Sequence, residues 1–356
     1  MTLPRARPNL DALRPYQAVG GVNAKYNLSA NEACLGASPA AVAAAIEAAR
    51  SANHYPDGGC HDLRRAISAR YRLDPDRVMC GAGSEELISL IVQAYAAPGD
   101  EVLFSQYGFI KYELAARAYG ATPVRAPEPA FVADVDALLA AATPLTRVVF
   151  LANPNNPTGT YLPAAEVTRL RRGLAENVIL VIDAAYAEFV ERPDYDDGLA
   201  LAGDTRNTLA LRTFSKIHGL AGLRCGWGYG TPELIGAMHK VRGAFNVNSL
   251  AQAAAAAAIG DLAHEKRARA HNSHWLAWLG PSLRALGLEV IPSVCNFLVV
   301  RFADGEACRS ALSSLAARSV LAMPLTGYGL PEALRITIGT EPANHAVRDA
   351  LSAVAR

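Results

Sequence analysis

Charge of one sign is what this sequence most lacks. Its 356 residues hold 34 lysines and arginines against 33 aspartates and glutamates, a formal net charge of +1. With no basic block and no acidic tail, nothing points to nucleic acid or an anionic membrane surface as partner. Cysteine is sparse: Cys34, Cys60, Cys80, Cys225, Cys295 and Cys308 are scattered without a CxxC pair. That spacing argues against a disulfide framework and for free thiols in a reducing compartment. Long apolar runs are missing as well. A stretch such as 253–259 is mostly alanine and too short to span a bilayer. Residues 1–10 carry Arg5, Arg7 and two prolines but no apolar core, so no signal peptide is expected and the cytoplasm is the default compartment. His271 and His274 stand three apart with no acidic ligand nearby. They read as helix-surface histidines, and no metal site is expected.

What is present is an ordinary globular composition, 51% hydrophobic and 19% charged, in a chain long enough for two domains. Residues 1 to about 30 are irregular and read as an arm that packs on something else, with Tyr16 offering a hydroxyl near its start. Ser38 and Pro39 open a helix over 40–50. From about 75 to 230 the pattern is strand, loop, helix, repeated. Strands are expected at 78–80, 101–105, 122–125, 148–152, 178–182, 208–211 and 225–230, with helices at 87–96, 108–119, 134–142 and 164–175. Unbroken apolar strands of this kind belong to a mostly parallel α/β sheet covered on both faces. Residues 251–279 read as one long helix or two. A second, smaller α/β unit comes next, with strands at 290–291, 296–302 and 334–338 and helices at 306–318 and 344–356. The expected division is 1–45 (arm and part of the small domain), 46–250 (large domain) and 251–356 (bridging helix and small domain).

The polar motifs cluster just past the carboxyl ends of these strands, where such sheets hold ligands. Lys216 lies between Ser215 and a glycine-rich run ending in Arg224. A lysine near its ordinary pKa of about 10.4 is a poor nucleophile at neutral pH and needs a site that favours its neutral form or converts it to an imine. Ser215 and Arg224 suit an anion such as a phosphate. The turn at 81–86 presents the helix-terminal groups of Gly83, Ser84 and Glu85 to the same kind of anion, although Glu85 and Glu86 equally fit the first-turn acids of a helix. Asp183 comes after a buried strand and offers a fixed carboxylate for a ring nitrogen. Asn156 and Tyr186 offer donors to a ring oxygen, Tyr107 a face for stacking, and Arg335 a planar fork for a carboxylate. Together these groups describe the way pyridoxal phosphate is held.

The sequence resembles the fold type I pyridoxal-phosphate aminotransferases, in the histidinol-phosphate aminotransferase family. The motifs that carry the resemblance run almost end to end: Leu28-Ser29-Ala30-Asn31-Glu32, Tyr55-Pro56-Asp57-Gly58, 153–159, Asp183 with Tyr186, 212–224, Phe245-Asn246-Val247-Asn248, and Tyr328-Gly329-Leu330-Pro331 leading to Arg335. The resemblance implies that Lys216 is the Schiff-base lysine and proton shuttle and that Asp183 partners the pyridine nitrogen. It implies Asn156 and Tyr186 at the ring oxygen, Tyr107 stacked on the ring, and Gly83, Ser84, Glu85, Ser215 and Arg224 around the phosphate. Tyr55 would reach the cofactor of a neighbouring subunit, giving a homodimer with shared sites. Arg335, Tyr16, Asn156 and Asn248 would contact substrate. The implied reaction takes histidinol phosphate as amino donor and 2-oxoglutarate as acceptor. An aromatic amino acid as donor is the nearest alternative, and a decarboxylase or lyase on the same scaffold is one of another reaction class. Three departures stand out. Asp-Glu-Ala-Tyr is Asp183-Ala184-Ala185-Tyr186 here, Asn-Glu-Asn-Pro-Leu-Gly is 31–36 with Ala33-Cys34, and Met323 stands where many relatives place an arginine for the substrate phosphate.

Overall fold

The computed structural model describes residues 5–10, 13 and 24–354. Thirteen strands are found there. They are β1 (Tyr26–Asn27), β2 (Val78–Gly81), β3 (Glu101–Ser105), β4 (Thr122–Ala126), β5 (Thr146–Ala152), β6 (Ile179–Asp183), β7 (Thr208–Thr213), β8 (Gly226–Tyr229), β9 (Glu289–Ile291), β10 (Phe297–Arg301), β11 (Val320–Leu321), β12 (Met323–Pro324) and β13 (Ala333–Thr337).

Seven of them form one sheet in the order β2-β8-β7-β6-β5-β3-β4, in which β8 alone runs against its neighbours. Alternate side chains leave opposite faces. Val148 and Phe150 of β5 enter a core with helices Ser84–Tyr95, Lys111–Tyr119 and Pro232–Val241, while Val149 and Leu151 enter a second core with helices Val135–Ala141 and Ala164–Gly173. Both faces are therefore dry, which is why these strands read as continuous Val, Ile and Leu.

A four-stranded antiparallel sheet, β12-β13-β10-β9, forms the smaller layer with helices Leu262–Arg284, Gly305–Ala317 and Glu341–Ser352. Leu28 belongs to its core, because β1 pairs in parallel with β11, Tyr26 opposite Val320. The first described residues pack inside their own chain: Arg7 and Asn9 donate to the carbonyls of Ala118 and Arg117 at 2.9 and 2.7 Å.

The structure corrects several expectations. Of the two readings of residues 251–279, the two-helix one holds, with Ser249–Gly260 and Leu262–Arg284 separated at Asp261, whose carboxylate caps the second by accepting from the His264 amide at 3.0 Å. The first of these, like helix Pro39–Ala49, packs on the seven-stranded sheet. The expected boundaries at 45/46 and 250/251 therefore fall inside helices of the large layer. Helix Pro232–Val241 was not anticipated, although Thr231 caps it with Pro232 at its first position. His271 is half-buried, its Nε2 3.0 Å from the Gly339 carbonyl, whereas His274 is exposed. Among the described residues no helix is long and apolar enough to cross a membrane.

Candidate active site

A cavity of about 730 Å3 opens between the two sheets. Its floor is made by the loops that leave β5, β6 and β7, and one wall by β12 and β13 of the small layer together with residues 27–32.

Asp183 is the last residue of β6, held in register with Ala152 of β5. Its Oδ2 accepts from the Tyr112 hydroxyl at 2.8 Å, while Oδ1 is buried without a partner. Burial raises the carboxyl pKa to about 6, opposed by the Tyr112 hydrogen bond, the Ala185 amide and the charge of Lys216. Lys216 lies three residues beyond β7, and its Nζ donates to the Ala30 carbonyl at 3.1 Å, 5.6 Å from the centre of the Tyr186 ring. The cavity walls enclose the amine even though the cavity itself leaves the side chain partly exposed. Desolvation there, followed by the Arg335 guanidinium, lowers its pKa to about 7. A primary amine of that pKa is substantially neutral at physiological pH, the condition for attack on a carbonyl. The Tyr186 hydroxyl accepts from Asn31 Nδ2 at 2.9 Å, and burial raises its pKa well above the ordinary phenol value.

At the other end of the cavity, Arg335 projects from β13. It donates to Asn156 Oδ1 and, at 2.5 Å, to the Ser29 carbonyl, and its Nε is buried without a partner. Met323 sits directly across the ladder from Arg335 and lines the same cavity.

The anion cup forms where helix Ser84–Tyr95 begins. Gly83 precedes it at φ +80°, a conformation that side chains rarely adopt, and a Cβ there would lie 2.6 Å from Arg224 Nη2. A Cβ on Gly226 would lie 2.3 Å from the Ser84 amide nitrogen. Both positions require glycine for the turn to close on β8 and Arg224. Arg224 donates to the Ala221 carbonyl at 3.0 Å and to Ser215 Oγ at 3.4 Å, and its Nη2 stands 3.7 Å from Glu85 Oε2. First-turn amides, two hydroxyls and a guanidinium thus converge on one end of the cavity.

The family model for class I and II aminotransferases matches residues 23–351. This chain belongs to that family. Among class I and II aminotransferases, the histidinol-phosphate aminotransferase of Paramagnetospirillum magneticum is 50% identical over 357 residues, covering 99% of this chain and 98% of that one. That of Rhodospirillum rubrum is 48% identical, covering 99% and 97%. The crystal structure of histidinol-phosphate aminotransferase from Sinorhizobium meliloti in complex with pyridoxal-5'-phosphate superposes with a TM-score of 0.92 at 28% identity, over 100% of this chain and 98% of that one. Aspartate aminotransferase from Thermus thermophilus with maleate shares the fold, with a TM-score of 0.86 at 23% identity over 99% and 100%. As an aminotransferase, the chain is an enzyme acting on an amino donor and a 2-oxo acid.

Of the residues singled out in the sequence, Ser84, Glu85, Asn156, Asp183, Tyr186, Ser215, Lys216, Arg224 and Arg335 line this cavity. Gly83 stands directly behind the cup. Three others do not line it. Tyr107 stacks on Phe131 with ring centres 5.4 Å apart, and Phe109 faces the cavity instead. The cause is local: the Gly108 amide bonds to the Ser105 carbonyl at 2.8 Å, so the chain turns before the helix begins at Lys111 rather than at 108. Asn248 caps helix Ser249–Gly260, accepting from the Ala251 amide at 2.8 Å. Tyr55 is 83% exposed, stacked on Phe245 at 4.6 Å. Tyr16 lies outside the described residues. Sequence reasoning missed Phe109, Asn31 and Tyr112. Only Asn31 stood in a recognised motif.

Proposed function

We propose that this aminotransferase takes histidinol phosphate as amino donor and 2-oxoglutarate as acceptor, with pyridoxal phosphate as cofactor. The observation that carries the reading is Asp183, a cavity-lining carboxylate whose Oδ1 is buried without a geometrically formed hydrogen bond, in a chamber that also holds a lysine of depressed pKa and an anion cup. Those groups fit the cofactor: Asp183 for its ring nitrogen, Asn156 and Tyr186 for its ring oxygen, Phe109 for its face. Ser84, the first-turn amides, Ser215 and Arg224 fit its phosphate. Bound there, the cofactor supplies a carbonyl for the amino group and a ring that withdraws electrons from the substrate carbon. The chain does the rest. Lys216 Nζ, poised near pH 7, takes and returns the proton, and Arg335 binds the anionic end of the substrate. The name carried by the full-length relatives supports histidinol phosphate as donor. A panel of amino donors tested with 2-oxoglutarate decides it. No turnover of histidinol phosphate would overturn the substrate assignment.

A second reading, an aromatic amino acid as donor, is favoured by Met323. A thioether across from Arg335 packs against a ring and offers a phosphate no charge-assisted bond. If Arg335 holds the anionic end alone, discrimination for the phosphate is smaller than two cations would give. Met323→Arg is expected to raise the ratio of kcat/KM for histidinol phosphate over phenylalanine by roughly tenfold, the worth of one charged hydrogen bond. A strong native preference left unchanged by Met323→Arg would show that another group holds the phosphate.

The same reading includes a homodimer with shared sites in a cytoplasmic enzyme. Tyr55 and Phe245 form an exposed stacked pair, and Val42 and Ile46 expose apolar surface on helix Pro39–Ala49. Tyr55 serves the partner's cofactor phosphate in this arrangement. Mixing Tyr55→Phe with Lys216→Ala subunits then assembles one unaltered site per heterodimer, so activity rises above the sum of the two variants. A monomer by sedimentation at micromolar concentration contradicts the arrangement.

A further inference from the structure

Glu128 is a buried carboxylate to which the reaction described above gives no role. It is 4% exposed, and among the described residues no cationic side chain pairs with it. Burial raises its pKa, opposed by three donors. They are the Tyr107 amide at 2.9 Å, Asn155 Nδ2 at 3.1 Å and the Ser105 hydroxyl. An uncompensated buried carboxylate is costly, so these bonds are stringent.

The donors come from two different segments, the end of β3 with the loop after it and the loop after β5. Ser105 and Tyr107 belong to the chain leaving β3, which goes on to Phe109. Asn155 belongs to the chain leaving β5 and immediately precedes Asn156, whose Oδ1 accepts from Arg335. Glu128 itself comes just after β4. The turn beyond it is strained, with Ala130 at φ 53° and Phe131 at φ 62°, and it is pinned by Thr160, whose hydroxyl donates to the Phe131 carbonyl at 2.6 Å. Non-glycine residues hold such φ values only where their surroundings over-determine them. The clamp is therefore built rather than incidental.

We propose that Glu128 is a positioning residue. Through Tyr107 and Asn155 it sets the separation of Phe109 from Asn156, the two groups placed on the cofactor's face and ring oxygen, and so the setting of Arg335 beyond them. This rests on the cofactor reading given above. Glutamine fits the same space but offers a single acceptor oxygen to three donors and adds N–H groups facing them.

The test is Glu128→Gln in the full-length enzyme, with pyridoxal phosphate affinity read from its visible absorption, and with kcat and KM. Cofactor Kd is expected to rise and kcat/KM to fall, each by roughly tenfold, with a shifted absorption maximum. Asn155→Ala cuts the same link from the other loop and gives the same shifts if the glutamine variant does not fold. Combined with Asn156→Ala, the Glu128→Gln loss should be largely absent, because coupled residues are not additive. A variant altered only in melting temperature, or fully additive with Asn156→Ala, overturns the positioning role. A wild-type chain that shows no absorption band with pyridoxal phosphate overturns the cofactor reading instead, and this one with it.

Discussion

Lys216→Ala is expected to lower kcat by at least about 10^4-fold, the upper range for loss of a positioned acid–base group, with little change in melting temperature. The side chain serves both as the attachment point and as the proton carrier, and the cation beside it, Arg335, does not give up its proton. The depressed pKa makes the expectation sharper. Lys216 in the cofactor-free protein is set near 7 by desolvation and by Arg335. Below that value each pH unit cuts the neutral amine about tenfold, and above it the neutral fraction is nearly complete. The rate at which the cofactor-free protein captures pyridoxal phosphate, monitored by absorption, should therefore rise through about pH 7 and level off. A rate still climbing toward pH 10 would show an ordinary lysine. Normal transamination by Lys216→Ala would remove the residue from the mechanism.

Asp183→Asn should retain the fold and lose about 10^2- to 10^4-fold in kcat, because an amide cannot stabilise a positive ring nitrogen. Single-turnover rates measure this, and a near-normal value sinks the role. Tyr112→Phe tests how the carboxylate is kept charged. Burial holds Asp183 near 6, and the Tyr112 hydroxyl works in the opposite direction. Without that donor the pKa moves up, so the acid limb of the pH–rate profile shifts to higher pH. A profile that stays in place separates Tyr112 from the electrostatics of the site.

The large sheet was legible because its strands are buried on both faces. β5 and β6 read as apolar runs at 148–152 and 178–182, and the polar residue that ends β6, Asp183, marks the cavity floor. Lys216, Asp183 and Arg224 were legible as residue types with few other uses beside the ends of strands: Asp183 closes β6, Lys216 comes after β7 and Arg224 precedes β8. The strands β1, β11 and β12 were not. Each is two residues long, and β1 exists through main-chain bonds such as the Leu28 amide to the Leu321 carbonyl at 2.8 Å, which carry no side-chain pattern. Phe109 was misassigned to a helix because a tight turn at Ser105–Gly108 delays the helix by three residues. Asn248 fits a helix cap as well as a ligand, and it is the cap that forms, with the Ala251 amide donating to its Oδ1.

The pairing of β1 with β11 also has a temporal meaning. Tyr26 and Val320 are nearly 300 residues apart, and Arg335, still later, donates to the Ser29 carbonyl. At synthesis rates of roughly 5–20 residues per second, the segment around 26–31 waits about 15–60 s for its partner strand. The strands that place Asp183 and Lys216, β6 and β7, are complete long before. On the ribosome the large sheet can therefore fold first and expose a half-built chamber, its floor present and its substrate wall absent. Chains released before β13 would keep the lysine but lack the arginine.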